Sequence, residues 1–377
     1  MNTHRPILKS SVLVKPTSAD CNLECGYCFY RKKAGLYPET KKHIMSDAVL
    51  EALIQQVMRN TPGEVSMVWQ GGEPTLAGLP FFMKVVEFQK KYGLPGQVVG
   101  NALQTNGILL NEQWASFLSK YRFLVGLSID GPQELHDYYR RTKNRQPTFS
   151  TVFSKIDLLR SHNVAFNILM VISSANVGHP DELYGFCRDN GLCFVQFIPT
   201  VEIDSGGFFL SSSVAADRYG DFLCSLFDLW FNNGRPQISI RLFDSLLIRM
   251  AYGSTDLCSF GSTCDRYLVV EANGDVYPCD FFVDHDWRLG NLIDASLWEL
   301  EALPLRQKFS AQKSELPSAC ARCDWVFYCM GECPRYRGLS ATEGMSYFCE
   351  SYKQFFEHSL SRLKEIASLI RPPKVIN

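Results

Sequence analysis

Three cysteines in CNLECGYC, Cys21, Cys25 and Cys28, share one short segment. Eight more, Cys258, Cys264, Cys279, Cys320, Cys323, Cys329, Cys333 and Cys349, crowd the last third of the chain. Thiolates are the usual ligands of iron–sulfur clusters, four to a cubane. Eight would complete two such sites, whereas three from one loop would leave one iron open to an outside ligand. Zinc is the rival at the first site, but it wants four protein ligands, or three that include a histidine. None of the 7 histidines lies near that loop. Spacing alone leaves zinc and iron–sulfur both open. The remaining cysteines, Cys187, Cys193 and Cys224, stand singly in apolar sequence, where a cysteine reads as a small buried hydrophobe.

Compartment decides what so many thiols mean. The N-terminal stretch MNTHRPILKSSVLVKPTS has neither the apolar region nor the cleavage site of a signal peptide. No run of about 18 apolar residues occurs that would span a bilayer. The expectation is a cytoplasmic chain with no membrane partner, whose reduced thiols serve metals in place of disulfides. Its 377 residues, 46% apolar and 20% charged, make an ordinary globular chain with a large core. With 38 basic and 39 acidic residues the net charge is −1. That offers no field for a phosphate backbone and excludes nucleic-acid binding through bulk charge.

Elements able to position these residues alternate along the first half. Runs of β-branched and aromatic residues at 11–16, 64–70, 97–105, 123–130, 164–173 and 193–199 predict strands. Helical periodicity fills the gaps at 46–59, 79–92, 111–120, 150–162 and 180–190, with Asp47, Asn111 and Asp181 as start signals. Strands joined by crossover helices predict an α/β fold with a parallel sheet. Six units are too few for a closed eight-fold ring, so a partial (β/α)6 barrel is expected over 1–205, with active residues at the strands' C-terminal ends. A helical connecting segment follows at 206–257, with helices at 214–233 and 241–252. Residues 258–377 predict a small cysteine-rich iron–sulfur domain with a β-hairpin about Asn273-Gly274 and a closing helix at 350–369. The triplet directly follows the first strand, where such a barrel keeps a catalytic cofactor.

C-x3-C-x-Y-C after the first strand, with Gly71-Gly72-Glu73-Pro74 after the second, resembles the radical S-adenosylmethionine (SAM) superfamily. The resemblance implies a 4Fe–4S cluster on Cys21, Cys25 and Cys28 whose open iron chelates the methionine moiety of SAM. Reductive cleavage would then release a 5′-deoxyadenosyl radical. By the same resemblance Tyr27 meets the adenine, Gly72 the methionyl amine, and Ser128 and Arg140 the methionyl carboxylate, while Val201 is a looser match to a second adenine contact. Arginine suits a carboxylate through its planar fork, although Arg141 stands beside Arg140. Glycine lets backbone approach a ligand closely.

The later cysteines resemble the SPASM extension of peptide-modifying radical enzymes. They do so through Cys264, Gly274 and Cys279, the run Cys320-x2-Cys323-x5-Cys329-x3-Cys333, and Cys349. Cys258 supplies an eighth ligand. In ferredoxin-like runs that end in Cys-Pro the last cysteine ligates the other cluster, and here that pair is Cys333-Pro334. Cys258, Cys264, Cys279 and Cys333 are thus assigned to a first auxiliary cluster, and Cys320, Cys323, Cys329 and Cys349 to a second. The resemblance gives the same partition, and implies SAM with three 4Fe–4S clusters as cofactors. Structural zinc opening at Cys320-x2-Cys323 is the alternative.

KPTS, QGGEPTLAG, LQTNG, FLVGLSIDGP, YPCD and DWRLGN together resemble the anaerobic sulfatase-maturating enzymes, with a resemblance running over nearly the whole chain. The implied function is oxidation of a cysteine or serine in a sulfatase active-site motif to Cα-formylglycine. The radical would take a hydrogen from Cβ, Asp280 the thiol or hydroxyl proton, and the auxiliary clusters the second electron. From the residues alone, Asp280 is a carboxylate among aromatics beside a cluster ligand, poorly solvated and tunable as a base. The bland reading is a hairpin-end aspartate that caps a turn. Tyr30 and Gln70 match positions lining the substrate pocket, and Glu202 and Asp204 are candidates to pair the arginine of the substrate motif.

The implied partners are an unfolded or peptide segment of a sulfatase and an external electron donor such as flavodoxin or ferredoxin. A radical maturase of ribosomally made peptides, forming a thioether or epimerising a residue, shares the SPASM region and is the alternative. Such maturases often carry a peptide-clasping domain before the radical core, whereas 20 residues precede Cys21 here. An electron carrier or a zinc-bearing interaction protein is the rival from another class, and neither needs an open-iron cluster on a large barrel.

Overall fold

A computed structural model describes residues 7–39, 41–339 and 344–370. The first six residues of the N-terminal stretch considered above lie outside that range. Among the described residues the strands are β1 (Ser11–Val14), β2 (Glu64–Trp69), β3 (Val98–Thr105), β4 (Leu124–Ser128), β5 (Phe166–Ile172), β6 (Phe194–Pro199), β7 (Ser239–Ile240), β8 (Tyr267–Val270), β9 (Asp275–Tyr277) and β10 (Gly290–Asn291). The chain forms two compact units. The first takes the residues up to Ser128, Arg140–Phe166 and Cys264–Ser310; the second takes Ile129–Tyr139, Asn167–Thr263 and the residues from Ala311 on.

In the first unit the strands lie in the order β10-β9-β8-β1-β2-β3-β4. β8, β1, β2, β3 and β4 are parallel, while β9 and β10 return antiparallel. Val14 pairs with both Trp69 and Val270. Lys15, Gln70 and Glu271, the next residues on three neighbouring strands, therefore leave the sheet side by side. Helix Asp47–Asn60 buries Val49, Leu50, Leu53, Ile54, Val57 and Met58, the three-and-four spacing of a core-facing stripe. Phe82 meets Trp69 and Trp114 edge-on, with ring centroids 5.6 and 5.3 Å apart, an arrangement aromatic quadrupoles favour.

The second unit holds β6 and β7, parallel to each other, and β5 beyond its first residue, parallel to β6. Helices Ala216–Phe231, Arg241–Tyr252 and Cys349–Leu369 pack through Phe227, Trp230, Phe243 and Phe355, and Phe243 stacks on Phe355 at 5.5 Å.

The α/β class, the parallel strands and the cysteine-rich C-terminal part are as the sequence predicts. Asn111 caps its helix by accepting from the Trp114 amide. Asp47 and Asp181 instead fall inside the first turn, where a carboxylate complements the helix dipole. The caps there are Ser46 and, ahead of Pro180, His179. Cys187 is buried, but Cys193 is exposed, a correction to its reading as core. It precedes β6 beside Phe194, itself 60% exposed, while Leu192 and Val195 face inward. The helices Gln133–Tyr139 and Pro304–Ser314 carry too little apolar periodicity to have been read. Among the described residues no helix is long and apolar enough to cross a membrane.

Candidate active site

Asp280 follows Cys279 directly after β9 and is 4% exposed. Four side chains reach it from the C-terminal ends of neighbouring strands and from the triplet loop. Lys15 Nζ, at the end of β1, lies 2.7 Å from Asp280 Oδ1 and 2.9 Å from Glu271 Oε1 at the end of β8. Tyr30, on the short helix Phe29–Lys33 that Cys28 caps, donates its hydroxyl to Asp280 Oδ2. Gln70, at the end of β2, donates to the Tyr30 hydroxyl at 3.0 Å and to Oδ2 at 3.4 Å. Lys33 Nζ donates to the Asp280 main-chain oxygen.

The two carboxylate oxygens are thus unlike. Oδ2 takes directed hydrogen bonds, whereas Oδ1 has the Lys15 ammonium beside it but no aligned hydrogen bond. Burial by itself would lower the Lys15 pKa, yet Asp280 and Glu271 more than offset that and raise it, so the ammonium stays charged. Burial pushes Lys33 down to about 8 in spite of Asp280. Burial, then the charge of Asp280, raises the Tyr30 hydroxyl well above its ordinary value, so Tyr30 remains a donor.

The triplet loop sits beside the ends of β2 and β3. Cys21 Sγ accepts from the Leu23 amide at 3.4 Å and from Asn106 Nδ2 at 3.7 Å. Burial raises the Cys28 thiol's pKa, and the nearby Tyr30 and Arg31 amides partly offset that. Burial pushes the Cys21 thiol up to about 11, so these thiols release protons on taking up metal. Three thiols from one loop, with N–H donors already at Cys21, suit a thiolate-held cluster.

Of the residues expected at SAM, Tyr27, Gly72, Ser128 and Arg140 belong to the first unit. Tyr27 is buried, and the Arg140 guanidinium stands 5.6 Å from its ring centroid. Arg140 is 7% exposed, whereas its neighbour Arg141 is exposed and donates to the Arg145 carbonyl, so geometry separates the two. Ser128 Oγ accepts from Gln104 at 2.9 Å. Val201, just past β6, is buried in the second unit. Gly72 is tightly placed: a Cβ there would meet the Asp20 carbonyl at 2.0 Å. Its amide also donates to the Ser18 carbonyl, so its smallness lets β2 clasp the segment that leads into Cys21.

Of the later cysteines, Cys264 and Cys279 belong to the first unit, and Cys258 and Cys333 to the second. Cys320, Cys323, Cys329 and Cys349 line a single pocket whose other walls include Trp325, Tyr352 and Phe356. Four thiols with apolar surroundings fit an iron–sulfur cubane, and the same donors would also suit a structural zinc. Glu202 is paired with the chain's own Arg335, and Asp204 Oδ1 accepts from the amides of Gly206 and Phe208, which shapes its loop. Both carboxylates offered for a substrate arginine thus have internal roles.

The sequence reading gave no role to Lys15, Glu271 or Glu73, although the first and last stand in quoted motifs. Lys15 and Glu271 each end an apolar strand run, SVLVK and LVVE, and a charge at a buried strand end was the available signal. Glu73 is wholly buried and accepts from Thr75, from Thr105 Oγ1 at 2.7 Å and from the Asn106 amide at 2.7 Å, which ties the ends of β2 and β3 together.

Residues 16–187 match the radical SAM superfamily, and residues 258–324 match the SPASM iron–sulfur cluster-binding domain. A cysteine-type anaerobic sulfatase-maturating enzyme of Clostridium perfringens is 40% identical over 369 residues, 96% of this chain and 99% of that one. A serine-type enzyme of Bacteroides thetaiotaomicron is 38% identical over 94% of this chain and 91% of its own. A solved structure of native anSMEcpe with bound AdoMet and Cp18Cys peptide is 39% identical. It superimposes with a TM-score of 0.89, covering 97% of this chain and 100% of that one. Streptococcus suis SuiB bound to S-adenosylmethionine, 16% identical with a TM-score of 0.60 over 87% of this chain and 74% of its own, shares the fold alone.

Proposed function

The chain belongs to the radical SAM superfamily and, within it, to the anaerobic sulfatase-maturating enzymes, and from that footing we propose that it oxidises a cysteine or serine of a sulfatase to Cα-formylglycine. It is a protein-modifying oxidoreductase that uses SAM and iron–sulfur clusters. The finer reading is three 4Fe–4S clusters. Cys21, Cys25 and Cys28 hold the one that binds SAM, with Tyr27, Gly72, Ser128, Arg140 and Val201 about the cofactor. Cys320, Cys323, Cys329 and Cys349 hold one auxiliary cluster, and the spacing of Cys258, Cys264, Cys279 and Cys333 assigns them to the other.

Bound SAM and the clusters supply the radical that takes hydrogen from the substrate Cβ and accept the electron then released. The chain's own part is the proton. The observation that carries this is the inequivalence of the two Asp280 oxygens. Tyr30 and Gln70 fix Oδ2, which leaves Oδ1, free of aligned hydrogen bonds, to receive the thiol or hydroxyl proton. Lys15 holds the carboxylate in place through an ion contact that has no acceptor of its own to offer. Burial keeps bulk water from competing with the substrate for the base. From cysteine the product is a thioaldehyde that hydrolyses to the aldehyde; serine yields the aldehyde directly.

The substrate is an unfolded or peptide segment of a sulfatase, the reductant an external carrier such as flavodoxin or ferredoxin, and the setting the cytoplasm. Anaerobic incubation with a cysteine-type and a serine-type sulfatase peptide, followed by mass spectrometry, tests the reading. Aldehyde from either peptide supports it; SAM cleavage with no aldehyde from both refutes it.

A further inference from the structure

We propose that Asn106 sets how readily the SAM-binding cluster takes up its electron, by donating a hydrogen bond from Nδ2 to Cys21 Sγ. The inference rests on the reading that Cys21, Cys25 and Cys28 hold that cluster, and it adds a residue outside the cysteine loop that governs the reduction potential. Asn106 directly follows β3 and is buried. Its Nδ2 lies 3.7 Å from Cys21 Sγ and 2.8 Å from Asn22 Oδ1. A side-chain amide carries two N–H groups, so both contacts can be made at once. The other end of the amide decides which atom faces the sulfur. Oδ1 accepts from the Ile108 amide at 3.0 Å, and a backbone N–H at that place requires an oxygen. The nitrogen therefore faces Cys21.

The backbone behind this donor is clamped. The Asn106 amide donates to Glu73 Oε2 and Thr105 Oγ1 donates to Glu73 Oε1, both at 2.7 Å, so the buried carboxylate fixes the end of β3. Gly107, at a φ of +80°, then turns the chain, and its amide donates to Thr105 Oγ1 at 3.0 Å. That turn brings the Ile108 amide round to Asn106 Oδ1. Such outer partners orient a metal ligand and tune the metal. The Leu23 amide also reaches Cys21 Sγ, at 3.4 Å, but it is a main-chain donor that a change of side chain leaves in place. Asn106 donates through its side chain, so its contribution can be removed alone. Reduction adds one electron to the cluster and so more negative charge to its sulfurs. An N–H aimed at a ligand sulfur stabilises that reduced state more than the oxidised one, and raises the potential.

The test is a redox titration of the anaerobically reconstituted chain, followed by electron paramagnetic resonance. SAM binds the open iron, so the reduced-cluster signal that SAM perturbs belongs to the triplet and stands apart from the auxiliary clusters. In Asn106→Ala the ratio of reduced to oxidised cluster at a fixed potential falls about tenfold, a shift of about 59 mV to more negative potential. Asn106→Asp keeps the size of the side chain and the acceptor for Ile108 but puts a carboxylate oxygen where the donor was, and shifts the potential further the same way. Asn22→Ala removes the neighbour and leaves the donor, and the ratio stays within about twofold of wild type. Iron per chain is unchanged in Asn106→Ala. A potential that does not fall in Asn106→Ala, or one that falls equally in Asn22→Ala, overturns the tuning role. Loss of iron from Asn106→Ala overturns it too, and makes the residue part of the loop's scaffold. A wild-type protein with no signal that SAM perturbs overturns the cluster reading itself, and this inference with it.

Discussion

Lys15 and Asp280 meet in the interior as an ion pair, Nζ to Oδ1 at 2.7 Å, with 1% and 6% of their side chains exposed. The same ammonium serves Glu271 at 2.9 Å, so one cation answers two buried carboxylates. Each buried ion costs several kcal/mol of lost hydration, and the group persists only because mutual attraction and hydrogen bonds offset that cost. The parallel register of β8, β1 and β2 brings the groups together, since Val14 pairs with Val270 on one side and Trp69 on the other.

Removing the cation should therefore be costly in two separable ways. Lys15→Met strands two carboxylates and is expected to destabilise the chain by about 3–5 kcal/mol, read from the denaturant midpoint. Lys15→Met/Glu271→Gln removes one charge of each sign and should recover much of that stability. Aldehyde formation should stay low in both, because Asp280 has lost the contact that orients it. A stable double variant with wild-type aldehyde formation would show that the pair has no part in positioning the base.

Asp280→Asn keeps the shape of the side chain but removes its capacity to take a proton. Aldehyde formation is expected to fall by about 10²-fold or more, the usual scale of general base catalysis, while 5′-deoxyadenosine release continues. Parallel assays of the two products on one sample check this. Normal peptide turnover by the variant would remove Asp280 from the mechanism.

Tyr30→Phe takes a donor from Asp280 Oδ2 and leaves Gln70 as the remaining one, at 3.4 Å. A hydrogen bond to a charged group is worth about 1.5–3 kcal/mol, which corresponds to about 10- to 100-fold if it is expressed in the rate. Gln70→Ala removes the longer bond and should cost less. Single-turnover aldehyde formation by the two variants, compared with wild type, gives the order; the reverse order would mean that Gln70 is the chief support of Oδ2.

Much of this was legible in the residues, and what was not has a physical reason. Period-two runs placed β1 to β6, and Asn273-Gly274 placed the β8–β9 turn, because these signals are local. Asp280, Tyr30 and Gln70 could be named because each lies beside a cysteine or glycine motif. Lys15 and Glu271 could not be paired, since they stand 256 residues apart and meet only through the β1–β8 adjacency. Gly72 was read as bringing backbone close to a ligand, and its missing side chain also clears space for the Asp20 carbonyl. No sequence pattern distinguishes those two uses of a missing side chain.

The hairpin that carries Cys279 should respond to acid. Arg288, 2.6 Å away, together with Asn291 and Asn273, outweighs the burial of Asp275 and holds its carboxyl below the ordinary value of about 3.9. A depressed folded-state pKa adds stability above the unfolded value, and that stability is lost as pH falls below about 4. Hydrogen exchange over β8 and β9, corrected for intrinsic rates, should accelerate in that window. Asp275→Asn should flatten the acid response, and an unchanged response would assign it to other carboxylates.

The pocket lined by Cys320, Cys323, Cys329 and Cys349 makes a prediction about metal that does not depend on the reaction. A cubane held by four thiolates does not survive the loss of two of them. Cys320→Ala/Cys323→Ala should therefore lower iron by about four atoms per chain in anaerobically reconstituted protein, and sulfide with it. The triplet lies in the other compact unit, so reductive SAM cleavage should persist in this variant while aldehyde formation falls. Trp325, Tyr352 and Phe356 would then wall an emptied apolar space, so the variant should also lose thermal stability, as a core cavity does. Loss of zinc in place of iron would reassign the pocket to a structural zinc site, the one alternative that its cysteine spacing leaves open.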